Sequence, residues 1–164
     1  MKLKLARYIS LILLVAWMCV IFCFSAENAE KSDSTSDEVI VKVVEHVYPK
    51  YKTLPEKEQK EVVEKFSFPV RKLAHFSEFF LLGILSAVFF ATFISIKVNL
   101  RVVLALLLGL LYATSDEIHQ LFIDGRACRF TDVLIDFSGV ALAVLLIYII
   151  VLRSGRIERK RHKA

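Results

Sequence analysis

The chain is poor in the residues that build disulfide frameworks, zinc sites and familiar catalytic motifs. It has only three cysteines, of which Cys19 and Cys23 lie within one apolar run and Cys128 stands alone. Because there is no CxxC pair and no His/Cys cluster, we assign the cysteines no role. The sequence also lacks HExxH, GxSxG and a glycine-rich phosphate loop, and so it indicates no known reaction.

Long apolar runs dominate what is present. Hydrophobic residues make up 56% of the chain and the mean hydropathy is +0.56, which is typical of membrane proteins. Four runs approach the ~20 residues that cross a bilayer as a helix; they cover residues 8–25, 73–96, 100–122 and 132–152. The first run is uncharged, and its length and poor cleavage motif favour an uncleaved helix over a signal peptide. We predict an all-α polytopic membrane protein, a four-transmembrane-helix bundle with an extracytoplasmic helical loop.

Basic residues lie before the first run, in the link between the second and third, and after the fourth. They are Lys2, Lys4 and Arg7, then Lys97 and Arg101, then Arg153, Arg156, Arg159, Lys160, Arg161 and Lys163. Four spans put all three groups on one side, and short basic flanks stay in the cytoplasm. We therefore expect a plasma-membrane protein with both termini cytoplasmic. The basic tail is interpreted as an anchor against anionic lipid, and no nucleic-acid partner is expected.

The chain divides into four predicted segments. They are an N-terminal span (1–25), the extracytoplasmic loop (26–71), a three-helix core (72–152) and the basic tail (153–164). Thr35 and Glu38 form a capping-box pattern at the start of one amphipathic helix in the loop. A second helix is predicted just after Pro55. Both helices are expected to rest on the membrane surface or on the bundle, and the first span is expected to pack more loosely than the core.

Ionisable residues share helix faces with small residues in three of the spans. The face of the second span combines His75, Glu78, Leu82 and Ser86. That of the third combines Ala105, Gly109, Ala113, Asp116 and Gln120, with His119 beside them. That of the fourth combines Asp132, Asp136, Gly139 and Ala143. Because membrane helices pack through small residues, these charges should face other helices and not lipid. In the predicted topology they lie within roughly 10 Å of the outer interface, in one outward-facing pocket.

Three segments of this pocket resemble the VanZ-like family. They are RKLAHFSEFFLLG (71–83), SDEIHQLFIDGR (115–126) and DVLIDFSG (132–139), and their order and spacing are similar to those of the family across three of the four spans. The resemblance implies a bacterial membrane protein. The named member of the family is associated with reduced susceptibility to teicoplanin-type glycopeptides, and the family name implies no particular reaction.

The favoured hypothesis is a binding site for an anionic, lipid-linked envelope precursor. Arg71, Lys72, Arg126 and Arg129 would hold a phosphate, since guanidinium groups make bidentate contacts with it. Carboxylates and His119 would meet sugar or peptide groups. The pocket candidates are Arg71, Lys72, His75, Glu78, Asp116, Glu117, His119, Gln120, Arg126, Arg129, Asp132 and Asp136.

Two alternatives stay open. A membrane-embedded enzyme could hold a divalent metal through His75, Glu78, Asp116 and His119, with Asp132 or Asp136 completing the shell or acting as a base. Such a metal is compatible with the residue types but is not expected. Otherwise the same groups form a purely structural polar network.

Three further residues have expected roles of their own. Glu117 should face another neighbour or the loop, Gln120 should orient a partner, and Gly125 should allow the turn before Arg126. The ligand and the oligomeric state stay undetermined.

Overall fold

The apolar runs form the long helices of an all-helical computed structural model, which describes the backbone of residues 1–161 and the side chains of residues 1–28 and 34–153. The helices are α1 (Lys2–Ser25), α2 (Ala29–Val47), α3 (Glu56–Ala91), α4 (Val98–Gln120) and α5 (Phe130–Arg161), with a short 3₁₀ helix at Pro49–Thr53. Four of them, α1, α3, α4 and α5, are long and apolar enough to cross a membrane. The predicted all-α fold with four spans is confirmed, whereas the predicted basic side chains beyond 153 lie outside the described residues.

Helix α3 joins two segments that the sequence predicts as separate. Its 36 residues correspond to about 54 Å, well beyond the ~30 Å hydrocarbon core of a bilayer. The N-terminal part of α3 therefore projects past the apolar part. Pro69 lies within the helix at this junction, although proline commonly breaks or kinks a helix.

Helix α2 packs along the projecting part of α3. It begins at Ala29, so Thr35 lies inside the helix and the predicted capping box is wrong. Ile40 is buried, and an apolar groove of about 430 Å³ runs between α2 and α3. The groove is lined by Val39, Ile40, Val43, Val44, Val47, Tyr48, Val62, Phe66 and Val70. We call α2, the 3₁₀ helix and the projecting part of α3, from Glu56 to the junction at Pro69, the hairpin.

The most extensive helix interface joins α3 and α5. Glycine permits the close approach: a Cβ atom on Gly83 would lie 2.8 Å from the Val140 carbonyl oxygen and 2.8 Å from the Ala143 Cβ. A Cβ atom on Gly139 would lie 3.0 Å from the Phe80 backbone nitrogen. These small residues belong to the predicted packing faces, whose members Leu82, Ser86, Ala105, Gly109, Ala113, Gly139 and Ala143 are all buried.

Helix α1 contacts the other spans less extensively than α3, α4 and α5 contact one another, as expected, but side-chain hydrogen bonds fix its position. The Trp17 indole Nε1 donates to the Glu78 carbonyl oxygen of α3 at 2.9 Å. The Tyr112 hydroxyl of α4 donates to the Met18 carbonyl oxygen at 2.5 Å. Near the other end of α1, Arg7 donates to the Thr92 carbonyl oxygen at 3.1 Å. Side-chain hydrogen bonds to backbone carbonyls hold this helix, and apolar periodicity gives no indication of them.

Candidate polar site at the charged end of the bundle

The ionisable residues of the spans meet at one end of the bundle. There α1 ends at Ser25, α4 ends at Gln120 and α5 begins at Phe130, while α3 passes through with Arg71–Glu78. We call this region the charged end. Contacts join its parts: the Arg126 Nε donates to the Glu27 carbonyl oxygen at 3.0 Å, and the Lys72 Nζ lies 2.5 Å from the Asp132 Oδ2.

Three of these side chains, His75, Asp116 and Asp136, form a compact cluster between α3, α4 and α5. One ligand atom from each lies within 4.8 Å of the others. Asp116 is 4% exposed and Asp136 is 1% exposed. Among the described residues, neither carboxylate oxygen of Asp136 has a hydrogen-bond partner. We call the three residues the carboxylate–imidazole cluster, since its chemistry is that of two acids and one imidazole ring.

Local packing brings the cluster together. Gly139 lies one helical turn after Asp136 and sits against the α3 backbone at Phe76 and Phe80. This close approach brings the first turns of α5 beside His75, which precedes Phe76. On α4, the Gln120 side-chain amide donates to the Asp116 Oδ2 at 3.0 Å. Gln120 thereby holds the orientation of one carboxylate, the role that its position on the packed face indicated.

A small cavity of about 180 Å³ adjoins the cluster and shares His75 with it. It is bounded by the end of α1, by α2, by α3 and by the loop between α4 and α5. Its lining residues are Phe24, Glu27, Thr35, Ser36, Arg71, Ala74, His75, Glu78 and Arg126. Its charged lining residues are two arginines, Arg71 and Arg126, and two glutamates, Glu27 and Glu78.

The two arginines of this cavity come from different elements. Gly125 has a φ of +75°, a conformation that glycine adopts readily, and it forms the turn that was predicted before Arg126. Arg126 is half-buried. Burial, followed by the positive charge of Arg71, lowers the pKa of the Arg126 guanidinium. The carboxylates of Asp116, Glu27 and Glu117 offset part of this effect by favouring the charged guanidinium, and an anion bound in the cavity would favour it further.

The other candidate residues lie around this centre. Lys72 pairs with Asp132. Glu117 is buried and its Oε2 accepts a hydrogen bond from the Arg129 backbone amide at 3.0 Å, so it faces the loop. The Arg129 side chain is exposed. His119 stacks on Phe22 of α1 with ring centroids 4.4 Å apart. Thus two of the four candidate phosphate-binding cations line the cavity, and the other two take part in the contacts around it.

The candidate metal ligands separate in the same way. His75 and Asp116 meet, but their third neighbour is Asp136, whereas Glu78 lines the cavity and His119 faces α1. The spacing of residues along one helix could not predict which of these side chains meet, since it does not give the rotation of one helix against another. Glu27, Thr35 and Ser36 also line the cavity but were not among the predicted site residues, because their contribution depends on how the loop folds back.

The fold and the site define an all-helical, multi-pass membrane protein with a buried polar centre at one end of its bundle. A family model described as VanZ/LLP1 matches residues 10–152. The chain belongs to the VanZ/LLP1 family, which confirms the resemblance seen in the three polar segments. No curated protein and no solved structure matches the chain.

Proposed function

We propose that this protein binds the phosphate or pyrophosphate group of a lipid-linked envelope precursor at the charged end of its bundle. The observation that supports this proposal most directly is the pair Arg71 and Arg126, which line the same small cavity. Guanidinium groups match phosphate oxygens in pairs of hydrogen bonds, and partial burial strengthens such contacts.

The size of the cavity limits what part of a ligand enters it. At about 180 Å³ it is smaller than the ~300–1,000 Å³ of sites that enclose a drug-sized molecule. A phosphate or pyrophosphate group fits such a volume, whereas a complete precursor does not. The sugar and peptide parts then remain outside the cavity, and the hydrocarbon chain remains with the membrane.

The direction of the bundle supports a ligand of the outer leaflet. The basic residues in the first turns of α1, around the link between α3 and α4, and at the end of α5 favour a cytoplasmic location for the opposite end of the bundle. The charged end then faces the cell exterior, where lipid-linked cell-wall precursors are exposed. A protein that occupies their phosphate groups would hinder teicoplanin-type glycopeptides, and lower susceptibility follows.

The test is a lipid-binding measurement with the full chain in lipid nanodiscs. A long-chain prenyl pyrophosphate should bind, and the matching prenyl alcohol should bind far more weakly. Arg126→Gln should lower the pyrophosphate affinity about 10- to 100-fold, the range for losing hydrogen bonds to a charged group. Arg101→Gln is the control, since Arg101 is partly buried and contacts the Ala91 carbonyl at the opposite end. Equal binding of pyrophosphate and alcohol, or no effect of Arg126→Gln, would contradict the proposal.

A further inference from the structure

The structure assigns a second ligand to the charged end: we infer that His75, Asp116 and Asp136 bind one divalent transition-metal ion, zinc or manganese. The donor atoms of the three side chains lie within 4.8 Å of one another. Zinc binds imidazole and carboxylate donors at about 2.0–2.2 Å, so donors of one ion are about 3–4 Å apart. Side-chain adjustments of about 1 Å would bring the three atoms to that spacing.

The unsatisfied state of Asp136 is the independent observation that indicates a ligand. Its carboxylate is 1% exposed, and in the part of the chain that the structure describes neither of its oxygens has a hydrogen-bond partner. Burying a carboxylate without a partner lowers the stability of the folded state by on the order of several kcal/mol, which is the desolvation penalty of a buried ion. Lys72, the cation on the adjoining turn of α3, pairs with Asp132 instead. A divalent ion between Asp116 and Asp136 would supply the missing positive charge.

The donor set indicates which class of ion fits. Imidazole suits zinc and the later transition metals, carboxylate suits manganese and magnesium, and a site with both favours zinc or manganese over magnesium. The hydrogen bond from Gln120 to Asp116 resembles the outer contacts that orient metal-ligating carboxylates. The ligand set overlaps the one considered from the sequence: His75 and Asp116 belong to both, Asp136 was offered there as completing the shell, and Glu78 and His119 do not belong to the cluster.

The position of His75 connects the ion to the neighbouring cavity. His75 belongs both to the cluster and to the cavity lining, and three protein ligands leave a coordination position open. An ion held there would meet a phosphate oxygen that is bound by Arg71 and Arg126. This last step rests on the proposed function, whereas the metal site itself does not.

The experiment measures metal content directly. The full-length protein in detergent micelles is stripped with a chelator and dialysed against zinc alone or manganese alone. The bound metal per chain is then measured by elemental mass spectrometry. We expect one ion per chain, and Asp136→Asn should weaken binding at least about 100-fold, the upper range for loss of an outer-shell partner. Asp124→Asn, which changes an exposed aspartate of the adjoining loop, should bind as the unaltered chain does.

Thermal unfolding distinguishes loss of the site from loss of the fold. Added metal should raise the Tm of the stripped protein and of Asp124→Asn, because a ligand that binds the native state stabilises it. Asp136→Asn should remain folded, with a Tm that does not respond to metal. A stripped protein that takes up less than a tenth of an equivalent of either metal, or an Asp136→Asn variant that keeps stoichiometric metal, overturns the inference.

Lipid binding by the same samples separates the two proposals. If the stripped chain and Asp136→Asn bind prenyl pyrophosphate but no sample binds metal, the metal site is wrong and the lipid proposal stands. If metal binds stoichiometrically while pyrophosphate and alcohol bind alike, the lipid proposal is wrong and the metal site stands.

Discussion

The charged end of the bundle and the hairpin beside it reverse the usual distribution of polarity. The charged end lies between helices that are apolar enough to cross a membrane, yet its interior holds Asp116, Glu117 and Asp136. The hairpin belongs to the polar segment between the first two spans, yet its groove is lined almost entirely by apolar side chains. Apolar burial therefore explains how the hairpin holds together, whereas it does not explain the charged end.

The difference separates residues that we expect to serve stability from those to which we assign a proposed function. Burying ionisable groups inside a membrane bundle is costly, and membrane proteins retain such groups mainly where they act. In the hairpin, burial of side chains such as Ile40 contributes to stability, because unfolding would expose their apolar surface to water. In the bundle, apolar contacts contribute mainly through packing, since lipid is as apolar as leucine.

The largest expected effect compares two truncations, one in each region. Ile40→Ala in the hairpin should cost about 2–5 kcal/mol of local stability, because it loses both transfer free energy and packing. Leu82→Ala, at a buried position of the bundle, should cost less, because it loses packing alone. Hydrogen exchange of the hairpin amides and equilibrium unfolding of the bundle measure the two costs. A larger cost for Leu82→Ala would contradict the comparison.

The next effect concerns the close approach that forms the charged end. Gly139→Ala places a Cβ 3.0 Å from the Phe80 nitrogen and closer still to the Phe76 carbonyl oxygen. Because both are backbone atoms of α3, the helices have to separate, at a cost of about 1–3 kcal/mol for overpacking. The variant should unfold more readily in a denaturant titration and should also lose metal and pyrophosphate binding.

Ser138→Ala is the matched control for that variant. Ser138 precedes Gly139 on α5 and is exposed, and its hydroxyl donates within the helix to the Ile135 carbonyl oxygen. It should leave stability and both binding activities nearly unchanged. A Gly139→Ala variant that behaves like Ser138→Ala would show that the interhelical spacing does not set the geometry of the site.

Much of this arrangement follows from sequence patterns, for physical reasons. Uncharged or weakly charged runs predicted the four spans, because a bilayer requires about 20 apolar residues. The stripe Ala105, Gly109 and Ala113 predicted the buried face of α4, and it correctly placed Asp116 and Gln120 on that face. Periodicity gives the direction of a side chain on its own helix, and that was enough to predict which polar residues turn away from lipid.

Other features depended on information that no local pattern contains. The pairing of His75 and Asp116 with Asp136 depends on how far α5 rotates against α3, which Gly139 sets through contact with backbone atoms. The capping-box prediction failed because the helix continues upstream to Ala29. Ser36 lines the cavity only because α2 folds back along α3, a tertiary contact that a polar segment does not signal.

The most direct test of the account is the stability of Asp136→Leu in metal-free conditions. Leucine branches at Cγ as aspartate does and needs no hydrogen-bond partner, although its methyl groups occupy more space than the carboxylate oxygens. If the carboxylate is retained for ligand binding at the expense of stability, this apolar replacement should stabilise the bundle. We predict that the free energy of unfolding rises by about 1–4 kcal/mol, the range for replacing buried ionic groups by apolar ones. A fall in the free energy of unfolding would show that Asp136 stabilises the bundle itself, and would contradict the claim that the charged end is kept for a ligand.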